Sequence, residues 1–128
     1  MAYKFVKDQK YTRRNVYTEI GIPEDTKGGN WDTGYARHGN AWFIFCNIGT
    51  TGRTGHDYAN AWIGDNLEWY GKTQSHVNQQ SIRSMLDSDF DVYVFWRKDN
   101  QEPFQFAGIG NAIEIENTRP VKILWAFD

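Results

Sequence analysis

Residues 41–48, AWFIFCNI, constrain the fold more than any other run in the chain. Their apolar side chains fall on both sides of an extended backbone and are rich in β-forming types. A strand here must therefore be covered from above and below. The run is predicted to be the central strand of a sheet. Residues 91–97 alternate instead, with Val92, Val94 and Trp96 on one side and Tyr93, Phe95 and Arg97 on the other, before KDNQE supplies a turn. Residues 104–109 and 111–115 read as strands interrupted by Gly108 and Gly110, which suit a bulge or sharp coil. Residues 121–127 form a closing strand and 67–71 a short one.

Two helices accompany these strands. Thr12 precedes RRNVYTEI, and Gly21 and Pro23 follow it, so 13–20 is predicted to be a capped helix with Val16 and Ile20 on one face. Ile82, Met85 and Leu86 at helical spacing predict a second over 79–86. Five or more strands with two or three short helices give an α+β fold, built on a curved mixed sheet or a small open β-barrel. At 128 residues the chain can bury one core but not those of two ordinary domains, so 1–128 is read as one domain.

Charge and cysteine content narrow the function. A formal net charge of -2 argues against a protein that coats nucleic acid by bulk electrostatics, so affinity for such a partner has to come from a pocket. Cys46 is the only cysteine, which excludes an intrachain disulfide and a cysteine zinc site; inside AWFIFCNI it is expected to be a small core residue. No apolar run approaches the roughly 18 residues of a membrane span. The opening MAYKFVKDQKYTRR lacks the apolar region of a secretory signal, and the expectation is a cytoplasmic protein without membrane partners.

The histidines give little support for catalysis. His38, His56 and His76 match no metal-binding spacing, and there is no HExxH, GxSxG or Walker sequence. No catalytic residue, metal or cofactor is expected. The best of the weak pairings is His56 with Asp57, yet neighbouring side chains in extended chain point apart. An enzyme reading would be a small nucleic-acid hydrolase using His56 or His76 with Arg53.

Residues 28–72 point to recognition instead. Trp31, Tyr35, Tyr58, Trp62, Trp69 and Tyr70 lie beside glycines and small polar residues, a setting suited to a stacking pocket for a flat ligand. Asp32, beside Trp31, could accept a hydrogen bond from the amino group of a stacked cytosine or adenine; Asn30 and Asp32 could equally be turn formers. In TTGRTGH, Arg53 stands among Thr51, Thr54 and glycines, bringing a guanidinium, hydroxyls and backbone amides to bear on a phosphodiester. Lys72, Ser75 and His76 follow Trp69 and Tyr70 and could hold the backbone of a strand whose base is stacked. A solvated connection would use the same residues. Trp42, Phe43, Phe45, Trp96, Phe104 and Phe106 are assigned to the core.

The succession YTRRNVY, GGNWDTGY, WFIFCNIGTTGRTGHDY and LEWYGKTQSH resembles a domain that accompanies HNH nucleases in bacterial type IV, modification-dependent restriction enzymes of the McrA-like kind. It is distantly similar to the domain fused to some bacterial restriction helicases. In layout it is similar to the EVE, SRA and PUA-like group, curved β-barrels that flip a modified base into an aromatic pocket. The resemblance spans roughly residues 11–115. It implies a base pocket drawn from Trp31, Asp32, Tyr35, Tyr58, Trp62, Trp69 and Tyr70. Thr51, Arg53, Thr54, Lys72, Ser75 and His76 become DNA-backbone contacts. The implied partner is DNA carrying a modified base, most simply a modified cytosine, and the implied role is to bring a restriction nuclease to it. No HNH module lies within these 128 residues, so the nuclease would be fused or recruited. Related restriction domains read sulfur in the phosphate backbone, which is an alternative mark. A protein-interaction module using the aromatic surface is a third reading.

Overall fold

The computed structural model describes residues 3–22, 34–48, 60–71, 75–87, 89–98 and 101–127. In chain order the elements are β1 (Lys10–Tyr11), α1 (Arg13–Ile20), β2 (Tyr35–His38), β3 (Ala41–Asn47), β4 (Ala61–Ile63), β5 (Asn66–Tyr70), α2 (Gln80–Met85), β6 (Asp91–Arg97), β7 (Phe104–Glu116) and β8 (Lys122–Phe127). The eight strands form a mixed sheet in the order β2-β3-β6-β7-β8-β5-β4, with β1 added on β7. Among the described residues this path does not close, so the architecture is α+β on an open sheet with two short helices.

β3 and β6 lie side by side and parallel, in register from Ala41 opposite Asp91 to Asn47 opposite Arg97, while every other described pairing is antiparallel. β3 is covered on both faces, as its sequence requires, but it lies second from the β2 edge rather than at the centre of the sheet, where β7 stands. Alternation sends Trp42, Ile44, Cys46, Val92 and Val94 into one apolar cluster with Leu67, Trp69, Ile82, Met85, Ile123 and Trp125. It sends Phe43, Phe45, Tyr93 and Phe95 into a second cluster with Val16, Ile20, Phe104 and Phe106. On that second face the in-register rings stack, Phe43 on Tyr93 at 5.3 Å and 11°, and Phe45 on Phe95 at 5.3 Å and 17°. Aromatic pairs of this kind add about 0.5–1.5 kcal/mol each beyond their burial.

The helices cover opposite faces. α1 is held by reciprocal bonds at its start: the Asn15 N–H donates to Thr12 Oγ1 (3.1 Å) and the Thr12 N–H to Asn15 Oδ1 (2.9 Å). It ends at Gly21, whose φ of 84° lets its N–H return to the Tyr17 carbonyl at 2.9 Å. α2 packs Ile82 and Met85 on the other face, and the Trp42 indole N–H donates to Ser84 Oγ at 2.8 Å to fix it to β3.

β7 differs from the two strands expected around Gly108 and Gly110. It is one continuous strand that pairs with β6 over its first half and with β8 over its second. The glycines serve the bend without breaking the ladder: Gly108 has φ 131°, and a Cβ on Gly110 would come within 2.9 Å of the Trp125 ring. The register slips between Val94 and Phe95 and again between Ala112 and Glu114. Among the described residues no helix is long and apolar enough to cross a membrane.

Candidate functional site

Because β3 and β6 are parallel, their C-terminal ends lie together, and consecutive residues there face opposite sides. Arg97 turns to the α1 side. Its Nε donates to Asn47 Oδ1 at 2.9 Å, its Nη1 to the Glu102 carbonyl at 3.2 Å, and its guanidinium lies 4.2 Å from the Phe104 ring centre. Arg13, in the first turn of α1, brings a second guanidinium to the same ring at 4.9 Å and to Phe45 at 5.1 Å. A concavity of about 370 Å³ opens there, lined by Thr12, Arg13, Arg14, Arg97, Gln101, Glu102, Pro103 and Phe104.

Trp96 turns to the other side. Trp62 of β4 meets it edge to face, with centroids 5.5 Å apart at 79°, and Phe127 lies 5.7 Å from Trp62. Ile48, Trp62, Trp96 and Phe127 are all partly buried and form a rim on the first apolar cluster. The Trp62 Nε1 is enclosed and has no hydrogen-bond partner among the described residues. A chain of amides ties the rim to the strand ends: Asn60 Nδ2 donates to the Asn47 carbonyl (3.2 Å), and Asn60 Oδ1 accepts from the Tyr70 N–H (2.9 Å). Ile48 and Asn60, the described residues nearest to 49–59 on either side, both belong to this end of the sheet.

Of the four described residues expected to line a base pocket, Tyr35, Trp62 and Trp69 belong to the first apolar cluster or pack on it, and Tyr70 does not. Tyr35 and Trp69 are core residues, 5% and 3% exposed, packed against each other at 5.5 Å and against Trp42 and Trp125. Their burial follows from β2 and β5 both turning these rings inward. Tyr70, one position on from Trp69, points to the opposite side of β5, where its hydroxyl donates to Glu68 Oε1 at 3.4 Å. Trp62 alone among the four is partly buried on the cluster side. Of the expected backbone contacts, Ser75 is 1% exposed and its Oγ accepts from the Val121 N–H at 3.2 Å, so it joins the approach to α2 to the start of β8. His76 Nδ1 accepts from the Asn78 N–H at 3.2 Å within a local turn. Trp31, Asp32, Thr51, Arg53, Thr54, His56, Tyr58 and Lys72 lie outside the described residues.

Electrostatics separate two surfaces. Beside Tyr70, Lys122 Nζ lies 3.6 Å from both Glu68 and Glu116. Desolvation pulls the ammonium down, but Tyr70, Glu116 and Glu68 outweigh it and hold Lys122 above the ordinary lysine value. Burial pushes the Cys46 thiol up to about 12, as befits a buried core residue. Desolvation likewise raises Tyr93, against the hydrogen bond that its hydroxyl accepts from the Tyr3 N–H. Among the described residues no three of His, Cys, Asp and Glu come together as a metal site.

Residues 5–124 match the sequence profile of one family, a stretch that runs from before β1 into β8. The chain belongs to DUF3427, a domain of unknown function. No curated protein matches it. The features of this DUF3427 domain that sequence reasoning misses are Arg13, Arg14, Arg97 and Trp96. Two arginines directly inside a predicted helix start are visible, but their convergence with Arg97 depends on β1 docking beside Phe104, which no local pattern announces.

Proposed function

We propose that the domain is a non-enzymatic DNA reader that takes up a modified base, with modified cytosines the first candidates, and brings a restriction nuclease to the marked DNA. The observation that carries this reading is Trp62: a partly buried ring set on Trp96 at the strand ends, with an enclosed N–H that lacks a partner among the described residues. A donor left without an acceptor costs about 1–3 kcal/mol; the core Trp125 Nε1 is likewise without a partner among the described residues, and what sets Trp62 apart is its partly buried place on the rim. The ring stands at the end of the sheet to which Ile48 and Asn60 belong, and the sequence between them, TTGRTGH included, has the donors suited to a phosphodiester.

The energetics suit such a role. Extruding a base costs a few kcal/mol of stacking and pairing, and stacking on an aromatic side chain returns about 1–3 kcal/mol per base. One added methyl supplies only about 0.8 kcal/mol by burial, so discrimination requires a polar contact or exclusion of the unmodified competitor.

The test is a titration of short duplexes carrying cytosine, 5-methylcytosine, 5-hydroxymethylcytosine or a phosphorothioate, with cleavage followed in the same samples. The expected result is tighter binding of one modified-base duplex, no cleavage, and loss of the preference in Trp62→Ala. Equal binding of all four duplexes refutes a reader of these marks. Cleavage would favour the hydrolase reading, and preference for the phosphorothioate would move recognition from base to backbone.

A further inference from the structure

We propose that the concavity walled by Arg13, Arg14 and Arg97 is an oxyanion site that holds a phosphodiester phosphate of the bound nucleic acid. This rests on the reader reading for the identity of the ligand. Three guanidinium groups from two elements far apart in sequence line one recess of about 370 Å³. Glu102 is the one acidic residue on the same lining, so in a chain of net charge -2 the recess still carries more guanidinium groups than carboxylates, a balance that suits an anion.

Packing alone does not account for it. Arg13 and Arg14 occupy the first turn of α1, which contains no acidic residue, so they sit where the helix amides already present positive charge. A negative side chain is the stabilising choice there, and two arginines oppose the dipole. An anion seated at the turn reverses the sign of both contributions.

Contact with Phe104 helps to place the donors. Arg13 and Arg97 lie against Phe104, one at 4.9 Å and the other at 4.2 Å. A guanidinium stacked through its face keeps its N–H groups in the plane at its edge, where a phosphate is met bidentately. The bonds of Arg97 to Asn47 and to the Glu102 carbonyl fix its orientation. Arg14 is exposed. It adds a charge that can move to meet the ligand, and the recess is roomy enough for a phosphate with part of its sugar.

The position also fits the proposed base site. Arg97 and Trp96 are consecutive at the C-terminal end of β6 and face opposite sides of the sheet. A strand of nucleic acid crossing that end meets the ring on one side and the guanidinium groups on the other.

The experiment measures affinity for a short labelled duplex against salt for the full chain, Arg13→Gln, Arg14→Gln and Arg97→Lys. In parallel, NMR follows the amides of residues 13–15 and the arginine Nε–H signals on adding duplex or inorganic phosphate alone. Removing one arginine from a phosphate should lower the slope of log K against log salt by about 0.9. Arg14→Gln should then lose about 3.5-fold less affinity than wild type across a fourfold rise in salt, equally for modified and unmodified duplexes. Arg97→Lys keeps the charge and should keep the slope while binding more weakly, provided its spectrum remains folded.

Unchanged slopes in both glutamine variants overturn the site, even where the base preference stands. A reduced slope with no preference among duplexes upholds the site and refutes the modified-base reading. Signals at 13–15 that move with inorganic phosphate while no duplex binds overturn the phosphodiester assignment in favour of a free phosphate. Absence of response to either probe overturns both.

Discussion

Alkaline pH should destabilise this domain through Cys46. The thiol is enclosed in the first apolar cluster on one face of β3, and burial takes it from the ordinary 9.0 to about 12. Between those two values the unfolded chain has lost the thiol proton and the native chain has kept it. The native state then binds more protons than the unfolded state, so stability falls as pH rises. The contribution is intact below pH 9.0 and is lost as pH rises towards 12. At about pH 10.5 the offset amounts to roughly 1.5 pH units, or about 2 kcal/mol. Tyr93, also raised by burial, acts in the same direction.

Cys46→Ala isolates the thiol, because it removes the titration and leaves Tyr93 in place. Urea unfolding under a phosphine reductant, at several pH values from about 7.5 to 10.5, gives the stability of both proteins. The variant should begin less stable, through the small cavity it opens, and should recover about 2 kcal/mol relative to wild type over that range. A difference between the two that stays constant with pH refutes the reasoning. It would mean that the thiolate reaches water without unfolding, which the packing of β3 against β6 forbids.

Three further outcomes test the frame around the site. Gly71→Ala would drive a Cβ into Ser75 Oγ and to 3.0 Å from Val121 Cγ1, so it should cost about 1–3 kcal/mol in the same urea assay. Thr12→Ala removes the acceptor of the Asn15 N–H and should cost about 1 kcal/mol; if Arg13 is placed by that cap, the variant should also weaken duplex binding. Trp62→Ala should abolish preference for a modified duplex while leaving the salt slope of Arg14→Gln unaffected.

What can be read from the sequence is whatever a short window determines. The α1 boundaries follow from Thr12 and Gly21, whose capping roles are local, and both appear as expected. The burial of Phe43 and Phe45 on one side of β3, and of Trp42, Ile44 and Cys46 on the other, follows from a run apolar on both faces. β1, β2 and β4 carry no such signal. They are two, four and three residues long, and pairing with β7, β3 and β5 makes them strands. The candidate site suffers for the same reason. Trp69 and Tyr70 stand together in the sequence and so read as one site, but strand alternation sends one into the core and the other beside Glu68. Glycine-flanked aromatics mark places where a ring sits next to a turn; they do not tell which face of the sheet it serves.

The distribution of charge restricts where an anionic ligand could approach. The side of the sheet that carries Tyr70 presents Glu68 and Glu116 around Lys122, and both carboxylates lie 3.6 Å from the one ammonium. With Glu114 opposite Leu124 in the same ladder, that surface has more carboxylates than cations among the described residues and repels phosphates. The second apolar cluster is covered by α1 and the first by α2, which closes both broad faces of the β3 and β6 pair. Among the described residues the C-terminal ends of β3 and β6 are left, where Arg97 and Trp96 emerge on either side and Arg13 and Arg14 converge. A ligand bound there touches three elements whose relative positions are set by the two cores. Substitutions deep in either cluster should therefore alter affinity only by unfolding the domain, whereas changes at the strand ends should alter affinity in a folded one.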